Sequence, residues 1–136
     1  MKKVGLDIGD VRIGIAVSDM LGIGANPRES YIRKNEETDI AYFTELARAE
    51  GADTFVVGLP INMDGTEGKR AEITREFAKK LADFSGMPVV FQDERLSTVS
   101  AEKMLIEADV RRDKRKKVID KVAACIILQS YLDKRK

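Results

Sequence analysis

The sequence contains no histidine, one cysteine and three prolines among its 136 residues. Without histidine, any acid–base or metal chemistry must rest on carboxylates, lysine, tyrosine, the single thiol or water. Cys125 has no second cysteine with which to form an internal disulfide, and it lies in an apolar helical stretch. We therefore predict that it is a small core residue of a protein in a reducing compartment.

Long apolar runs are also absent from the sequence. The apolar runs are too short to span a bilayer. Met1–Lys3 leads directly into a predicted strand without a small-residue cleavage site, so we expect no signal peptide, no membrane partner and a cytoplasmic location. Apolar residues make up 43% of the chain and charged residues 35%. This balance is typical of a folded protein, and we predict a single domain over residues 1–136.

Net charge is only +1, which gives no global reason to expect a polyanionic partner. The charge is unevenly distributed, because Arg111–Lys117 holds six cations in seven positions. We predict a linker here. Such a run is usually a solvated loop, but beside a carboxylate site it would attract a nucleic-acid backbone.

The first strands carry the residue on which the functional prediction depends. Val4–Ile8 and Ile13–Val17 are apolar, partly β-branched runs joined by Gly9–Arg12, which predicts an antiparallel hairpin. Asp7 then lies inside a strand, where an ionised carboxylate needs a partner or a cation. The alternative is that Asp7 accepts hydrogen bonds from the turn that follows it.

The remaining elements complete an α/β pattern. Glu29–Arg33 is the weakest strand, on the same meander. Beyond it the spacing of apolar residues and of glycines predicts, in order, a helix from Glu37 to Gly51, a strand at Thr54–Gly58, a helix at Ala71–Phe84, a strand at Pro88–Gln92, a helix from Ser97 or Thr98 to about Ala108, and a helix at Val118–Leu132. In the helix at Ala71–Phe84 the predicted buried stripe is Ile73, Phe77, Leu81 and Phe84. Strands joined by short links are expected to be antiparallel neighbours, and strands joined through a helix are expected to be parallel. We therefore predict a mixed five-stranded sheet with helices on both faces. Its first three strands form an antiparallel meander, and the later strands are parallel.

Two further carboxylates are placed to approach Asp7. In open sheets of this kind, ligands bind beyond the carboxyl ends of the parallel strands. Glu94 follows such a strand, although it could instead pair with Arg95 or protect the next helix start. Asp120 opens the last helix, in register with its apolar stripe of Ala123, Ala124, Ile127, Leu128 and Tyr131. Its alternative role is to complement the helix dipole.

Three carboxylates without histidine suit a hard cation, Mg²⁺ or Mn²⁺. A metal held by Asp7, Glu94 and Asp120 would activate water for in-line attack on a phosphodiester. The residues alone therefore favour hydrolysis of a phosphate ester, provided that the three positions converge.

The motifs around these acids resemble those of the YqgF/RuvX family, Holliday-junction resolvase-like proteins that are also described as pre-16S rRNA nucleases and that have an RNase H-like fold. Four blocks carry the resemblance, in the family order and over essentially the whole chain: Asp7-Ile8-Gly9-Asp10-Val11-Arg12-Ile13-Gly14, then Val57-Gly58-Leu59-Pro60 with Asn62-Met63-Asp64-Gly65-Thr66, then Asp93-Glu94-Arg95-Leu96-Ser97-Thr98, then Asp120-Lys121-Val122-Ala123-Ala124 with Ile127-Leu128. The resemblance implies that Asp7, Glu94 and Asp120 are the catalytic, metal-binding carboxylates.

One departure concerns the second acid. In the broader resolvase group it usually lies on the strand after the first helix. Here that strand ends Val57-Gly58-Leu59-Pro60, and Glu94 comes one strand later, as is normal for YqgF-type sequences. The number of metal ions and their spacing therefore stay open.

Nucleic-acid contacts are predicted from loops and cations near these acids. Ile61–Gly68 leads into a helix N-terminus, a natural anion site, although its glycines could serve only the geometry of a solvated turn. The predicted nucleic-acid-binding residues are Arg12, Asn62, Lys69, Arg70, Arg95, Arg111, Arg112, Lys114, Arg115, Lys116 and Lys117.

We accordingly predict an endonuclease that depends on Mg²⁺ or Mn²⁺ and acts on structured nucleic acid. Within the family, processing of the 5′ end of pre-16S rRNA is the first candidate and cleavage of DNA junctions the second. A non-catalytic nucleic-acid-binding or ribosome-assembly factor is the alternative from another class. Asp7-x-Gly9 also resembles the phosphate loop of actin-like ATPases and sugar kinases, but one domain cannot close their nucleotide cleft unless it forms a homodimer, which the sequence leaves open.

Overall fold

The computed structural model describes residues 1–62, 64–93 and 112–134, with the backbone alone for 112–121. Its elements are β1 (Lys2–Ile8), β2 (Arg12–Ser18), β3 (Ala25–Ile32), α1 (Glu36–Glu50), β4 (Ala52–Leu59), α2 (Lys69–Ser85), β5 (Val89–Asp93) and α3 (Arg112–Lys134). The predicted helix from Ser97 or Thr98 to about Ala108 lies outside the described residues. No helix in the described ranges is long and apolar enough to cross a membrane.

The five strands form one mixed sheet in the order β3-β2-β1-β4-β5. β1 pairs with β2, and β2 with β3, in antiparallel fashion, whereas β1–β4 and β4–β5 are parallel. The predicted sheet is confirmed. β3 begins earlier than expected, at Ala25, because Ala25, Asn26 and Pro27 pair with the end of β2. Pro27 is tolerated there since β3 is an edge strand.

Helix α1 follows the sequence closely. The Asn35 side chain caps it by accepting a hydrogen bond of 2.9 Å from the Thr38 amide. Gly51 ends it with a left-handed φ of 70°. Ile40, Phe43 and Ala47 are buried, as their helical spacing predicts.

The buried stripe of α2 differs from the prediction. Phe77 and Leu81 are buried, but Ile73 is 45% exposed and Phe84 is 61% exposed, so these two assignments are wrong. The buried face is completed by the small residues Ala71, Thr74 and Ala78. Small side chains let the helix approach the sheet closely, and the large Ile73 and Phe84 side chains therefore lie at the margin of the contact.

The helices cover both faces of the sheet, as predicted. α1 and α2 enclose one core against β1, β2 and β4, with Leu6, Phe43 and Phe55 among its members. α3 forms the other core, in which Ala124, Ile127 and Leu128 pack on Ala16 and Val56.

The basic run was predicted to be a linker, and this prediction is wrong for residues 112–117, which form the start of α3. Arg and Lys have high helix propensity, and Asp113 stands four residues before Lys117, the acid-before-base spacing that supports a helix. The preference of the backbone therefore outweighs the local repulsion between the cations.

Candidate active site

Asp7 lies inside β1 near its carboxyl end and is half-buried. Its antiparallel partner on β2 is Gly14. On the other side, Leu6 pairs with Val57, which brings Gly58 of β4 level with Asp7. Both neighbours are glycines, so neither of the two strand positions level with Asp7 carries a side chain.

Asp7 faces the α3 side of the sheet. Val4, Leu6 and Ile8 belong to the core under α1 and α2. Alternation along a strand places Gly5 and Asp7 on the opposite face. Gly5 meets α3 directly, since a Cβ built on it would lie 2.7 Å from the Leu128 Cβ and 3.2 Å from the Ala124 carbonyl oxygen.

The direction of α3 brings its first half toward Asp7. Ala124 and Leu128 lie over Gly5, whereas Leu132, one turn later, lines a cavity with Met1 and Lys3 at the start of β1. α3 therefore runs antiparallel to β1. The helix backbone at Asp120, one turn before Ala124, lies toward the end of β1 that carries Asp7.

The end of β5 lies on the same edge. Gly58 pairs with Gln92, and Leu59 pairs with Asp93, the last residue of β5. Since β4 separates β1 from β5, the two strand ends are about 10 Å apart. Glu94 is the next residue along the chain and lies outside the described residues. In the described ranges no group of three or more His, Cys, Asp or Glu residues could hold a metal ion, and two of the three predicted ligands have side chains outside those ranges.

The turn after Asp7 is closed by its own backbone. The Gly9 amide donates to the Arg12 carbonyl oxygen at 2.9 Å. A Cβ on Gly9 would lie 2.6 Å from that same oxygen, so the close approach requires glycine.

Two guanidinium groups contact this turn. Arg70, from the first turn of α2, pairs with the Asp10 carboxylate and donates to the Ile8 carbonyl oxygen at 3.3 Å. Arg33, just after β3, donates from Nη1 to the Gly9 carbonyl oxygen at 3.0 Å. The ion pair between Arg70 and Asp10 is exposed, whereas the hydrogen bonds from Arg70 to Ile8 and from Arg33 to Gly9 are both partly buried.

Arg33 is held by a carboxylate that the sequence analysis did not identify. Asp39 is 1% exposed and accepts hydrogen bonds from the Arg33 Nε at 3.2 Å and from the Lys34 amide at 3.0 Å. Burial, together with this neighbouring carboxylate, raises the pKa of Tyr31 to about 12, so its hydroxyl stays protonated. A signal was available in the sequence, because Asp39 stands four residues before Phe43 on the apolar stripe of α1.

The loop before α2 is tied together internally. The Asn62 side-chain amide donates to the Thr66 hydroxyl at 3.0 Å. That hydroxyl and the Thr66 amide both donate to Asp64, at 2.6 Å and 2.9 Å, and these bonds hold the pKa of Asp64 below its usual range. Asn62 therefore shapes the loop, and its predicted contact with nucleic acid stays a prediction.

The other predicted cations fall into three groups. Arg12, Lys69 and Arg70 are exposed near the Asp7 edge, at the start of β2 and in the first turn of α2. Arg95 and Arg111 lie outside the described residues. The backbone of α3 carries the remaining five, Arg112, Lys114, Arg115, Lys116 and Lys117.

Comparison with known structures identifies the class of fold. The chain resembles "T. thermophilus RuvC in complex with Holliday junction substrate" with a TM-score of 0.60 at 14% identity, covering 99% of this chain and 95% of that one. It resembles the fowlpox virus Holliday junction resolvase with a TM-score of 0.58 at 18% identity, covering 98% and 99%. The fold is that of the RNase H-like resolvases.

Sequence comparison is more specific. A protein of Symbiobacterium thermophilum named "Putative pre-16S rRNA nuclease" is 53% identical over 135 residues, covering 99% of this chain and 94% of the relative. A protein of Geobacillus kaustophilus with the same name is 51% identical over 140 residues and is covered completely. The family model RuvX, described as Holliday junction resolvase, matches residues 1–134. The chain belongs to the RuvX family and is a hydrolase of the nuclease class.

Proposed function

We propose that this protein is an endonuclease that depends on Mg²⁺ or Mn²⁺ and processes the 5′ end of pre-16S rRNA in the cytoplasm. The observation that carries the proposal is the position of Asp7, between two glycines at the carboxyl edge of the parallel strands, with Asp93, the last residue of β5, at that same edge. Glu94 is the next residue in the sequence. Ligand sites of open α/β sheets lie at this edge.

The residues present fit a hard cation. Asp7, Glu94 and Asp120 would supply carboxylate oxygens, the ligands that Mg²⁺ and Mn²⁺ prefer. The glycines at positions 14 and 58 fit this role, because any side chain there would stand beside the Asp7 carboxylate. When bound, the metal supplies activation of the attacking water and stabilisation of charge in an in-line displacement.

The protein's own residues would orient the nucleic acid. Arg12, Lys69 and Arg70 are exposed near the Asp7 edge. The cations at the start of α3 belong to the helix whose first half lies toward that edge. Asn62, Arg95 and Arg111 complete the proposed set. Such contacts would hold the phosphodiester in line with the attacking water, which is the main contribution a protein makes to this chemistry.

The choice of RNA as substrate rests on the names of the curated relatives. The second candidate is resolution of four-way DNA junctions, which the description of the family model supports. A non-catalytic role in ribosome assembly is the outcome if neither substrate is cleaved.

The test is cleavage of a pre-16S rRNA fragment and of a four-way DNA junction, side by side with Mn²⁺. Asp7→Asn, Glu94→Gln and Asp120→Asn each keep the shape of the side chain and remove one negative charge. We expect each to slow cleavage at least about a hundredfold, on the order of 3 kcal/mol in the barrier. Binding of nucleic acid without metal should be unchanged or tighter, because a charge facing phosphate is removed.

Asp93→Asn is the matched control, one residue from Glu94, and should matter much less. If Asp93 is essential and Glu94 dispensable, the assignment of the second ligand is wrong. If all four variants cleave as the parent does, the activity comes from elsewhere and the binding-factor role replaces the nuclease.

A further inference from the structure

Arg33 contacts the turn after Asp7 with both its backbone and its side chain. The Arg33 amide donates to the Val11 carbonyl oxygen at 2.8 Å. Its guanidinium Nη1 donates to the Gly9 carbonyl oxygen at 3.0 Å. The backbone and the side chain of Arg33 therefore each donate a hydrogen bond to the turn. The carbonyl oxygen that accepts from the side chain belongs to Gly9, two residues beyond Asp7.

The guanidinium is itself fixed in place. Its Nε donates to Asp39, and its Cζ lies over the Phe77 ring, 5.2 Å from the ring centroid. Asp39 is also anchored, since it accepts the Lys34 amide and lies in the first turn of α1. The end of β1 is thus joined through Arg33 to both α1 and α2.

An ion pair of this kind, with Asp39 buried and Arg33 partly buried, is not needed to stabilise a core. Removing two charges from water is costly, and replacing such pairs with apolar residues is often neutral or stabilising. What an apolar pair could not do is donate a hydrogen bond to the Gly9 carbonyl oxygen. The contact that distinguishes Arg33 from a core residue is therefore the one that points toward the Asp7 turn.

We propose that Arg33 and Asp39 are positioning residues for the Asp7 carboxylate. They hold the Gly9 turn and, through it, the end of β1. The inference rests on the proposed function, in which Asp7 is a metal ligand. Residues that do not bind a metal themselves but hold one of its ligands in position typically matter for affinity. Their removal lowers metal affinity by about 10–100-fold.

The test variant is Arg33→Met/Asp39→Asn, which removes both charges and leaves Asn an oxygen to accept the Lys34 amide. Four quantities are measured: stability to urea, Mn²⁺ affinity by calorimetry, and kcat and KM for the substrate that the parent cleaves. We expect a folded protein with Mn²⁺ affinity and kcat each lowered about tenfold and KM little changed. Arg33→Lys keeps the charge and several donors, and should recover most of both values.

The matched control is Lys3→Met/Asp53→Asn. This change removes an ion pair of 2.6 Å at the opposite end of β1, and it should leave Mn²⁺ affinity unchanged. The proposal is overturned if the folded Arg33→Met/Asp39→Asn variant keeps the parent's Mn²⁺ affinity and kcat. It is also overturned if these values fall only in proportion to the unfolded fraction, since the pair would then serve the fold alone.

Amide hydrogen exchange separates this inference from the proposed function. If the parent binds no Mn²⁺ and cleaves nothing, the proposed function fails. The Gly9 amide still reports on the turn. Faster exchange of Gly9 in Arg33→Met/Asp39→Asn, with core amides unchanged, supports the positioning of the turn, and an unchanged rate at Gly9 refutes it.

Discussion

Gly5 of β1 lies directly under Leu128 of α3, so close that a Cβ on Gly5 would stand 2.7 Å from the Leu128 Cβ. The same added Cβ would lie 3.2 Å from the Ala124 carbonyl oxygen. The Leu128 Cβ is bonded directly to the helix backbone, and the Ala124 oxygen is part of it. Neither atom can rotate away from an added methyl group, as the end of a long side chain could. Glycine at position 5 therefore sets the distance between α3 and the strand that carries Asp7.

We expect Gly5→Ala to destabilise the protein by about 1–3 kcal/mol, because the added methyl group overpacks this contact. The helix must move outward, and Asp120 moves with it, so Mn²⁺ affinity should fall as well. Urea denaturation and calorimetry measure the two effects. The control is Gly24→Ala, where the nearest atom to an added Cβ would be Asp19 Oδ2 at 3.5 Å, an ordinary contact. Equal stability of the two variants would contradict the tight packing of α3 on Gly5.

The two phenylalanines of α2 give a second prediction. Phe77→Ala should cost about 3–5 kcal/mol, since it removes a buried ring from the core. Phe84→Ala should cost less than about 1 kcal/mol, because the ring is 61% exposed. Urea denaturation of the two variants measures both values. A large loss of stability from Phe84→Ala would mean that the ring is covered in solution.

The fold was predictable because local patterns determine it. β-branched runs with short links define the meander, and Gly51 and Gly86 end their helices with φ of 70° and 73°. The spacing of apolar residues was insufficient to predict the buried face of α2, because it does not specify which side of the apolar stripe packs against the sheet. It also failed at the basic run, where composition suggested a solvated loop and the backbone forms a helix.

The site was predictable only in part. Asp7 stands out as an acid in an apolar strand, and its place in β1 agrees with that interpretation. Its glycine neighbours depend on the strand register, which the sequence does not specify. The Arg33–Asp39 pair joins the end of β3 to the first turn of α1. Only the tertiary structure shows that the Asp39 carboxylate is buried and that Arg33 lies over the Phe77 ring.

The Asp10–Arg70 pair gives a third prediction. Arg70 also donates to the Ile8 carbonyl oxygen, so its guanidinium has an anchor at the end of β1 that does not depend on Asp10. Asp10 is 85% exposed, and exposed pairs are worth at most about 1 kcal/mol, so a phosphate can replace this carboxylate. We expect Asp10→Asn to tighten metal-free binding of nucleic acid a few-fold and Arg70→Gln to weaken it, both measured by fluorescence anisotropy.

The control for Asp10 is a second ion pair whose arginine lies on the same helix, α2. Arg75 is as exposed as Arg70, at 47%, and donates two hydrogen bonds to Glu67, at 2.7 Å and 2.9 Å. Glu67→Gln removes the same charge from a pair that does not contact the Asp7 turn. If Glu67→Gln tightens binding as much as Asp10→Asn does, the effect is one of net charge and Arg70 has no special role.

The basic start of α3 gives the last prediction. Because residues 112–117 are helical, the cations Arg112, Lys114, Arg115, Lys116 and Lys117 are best replaced with Gln, which keeps a high helix propensity. If these cations contact phosphates, the variant binds all sequences more weakly. Each lost contact should flatten the slope of log affinity against log salt concentration by roughly 0.7–0.9. Lys79→Gln, an exposed cation on α2, should leave that slope unchanged. A slope that stays the same in the α3 variant would mean that the basic turns of α3 face solvent and leave the phosphate contacts to Arg12, Lys69 and Arg70.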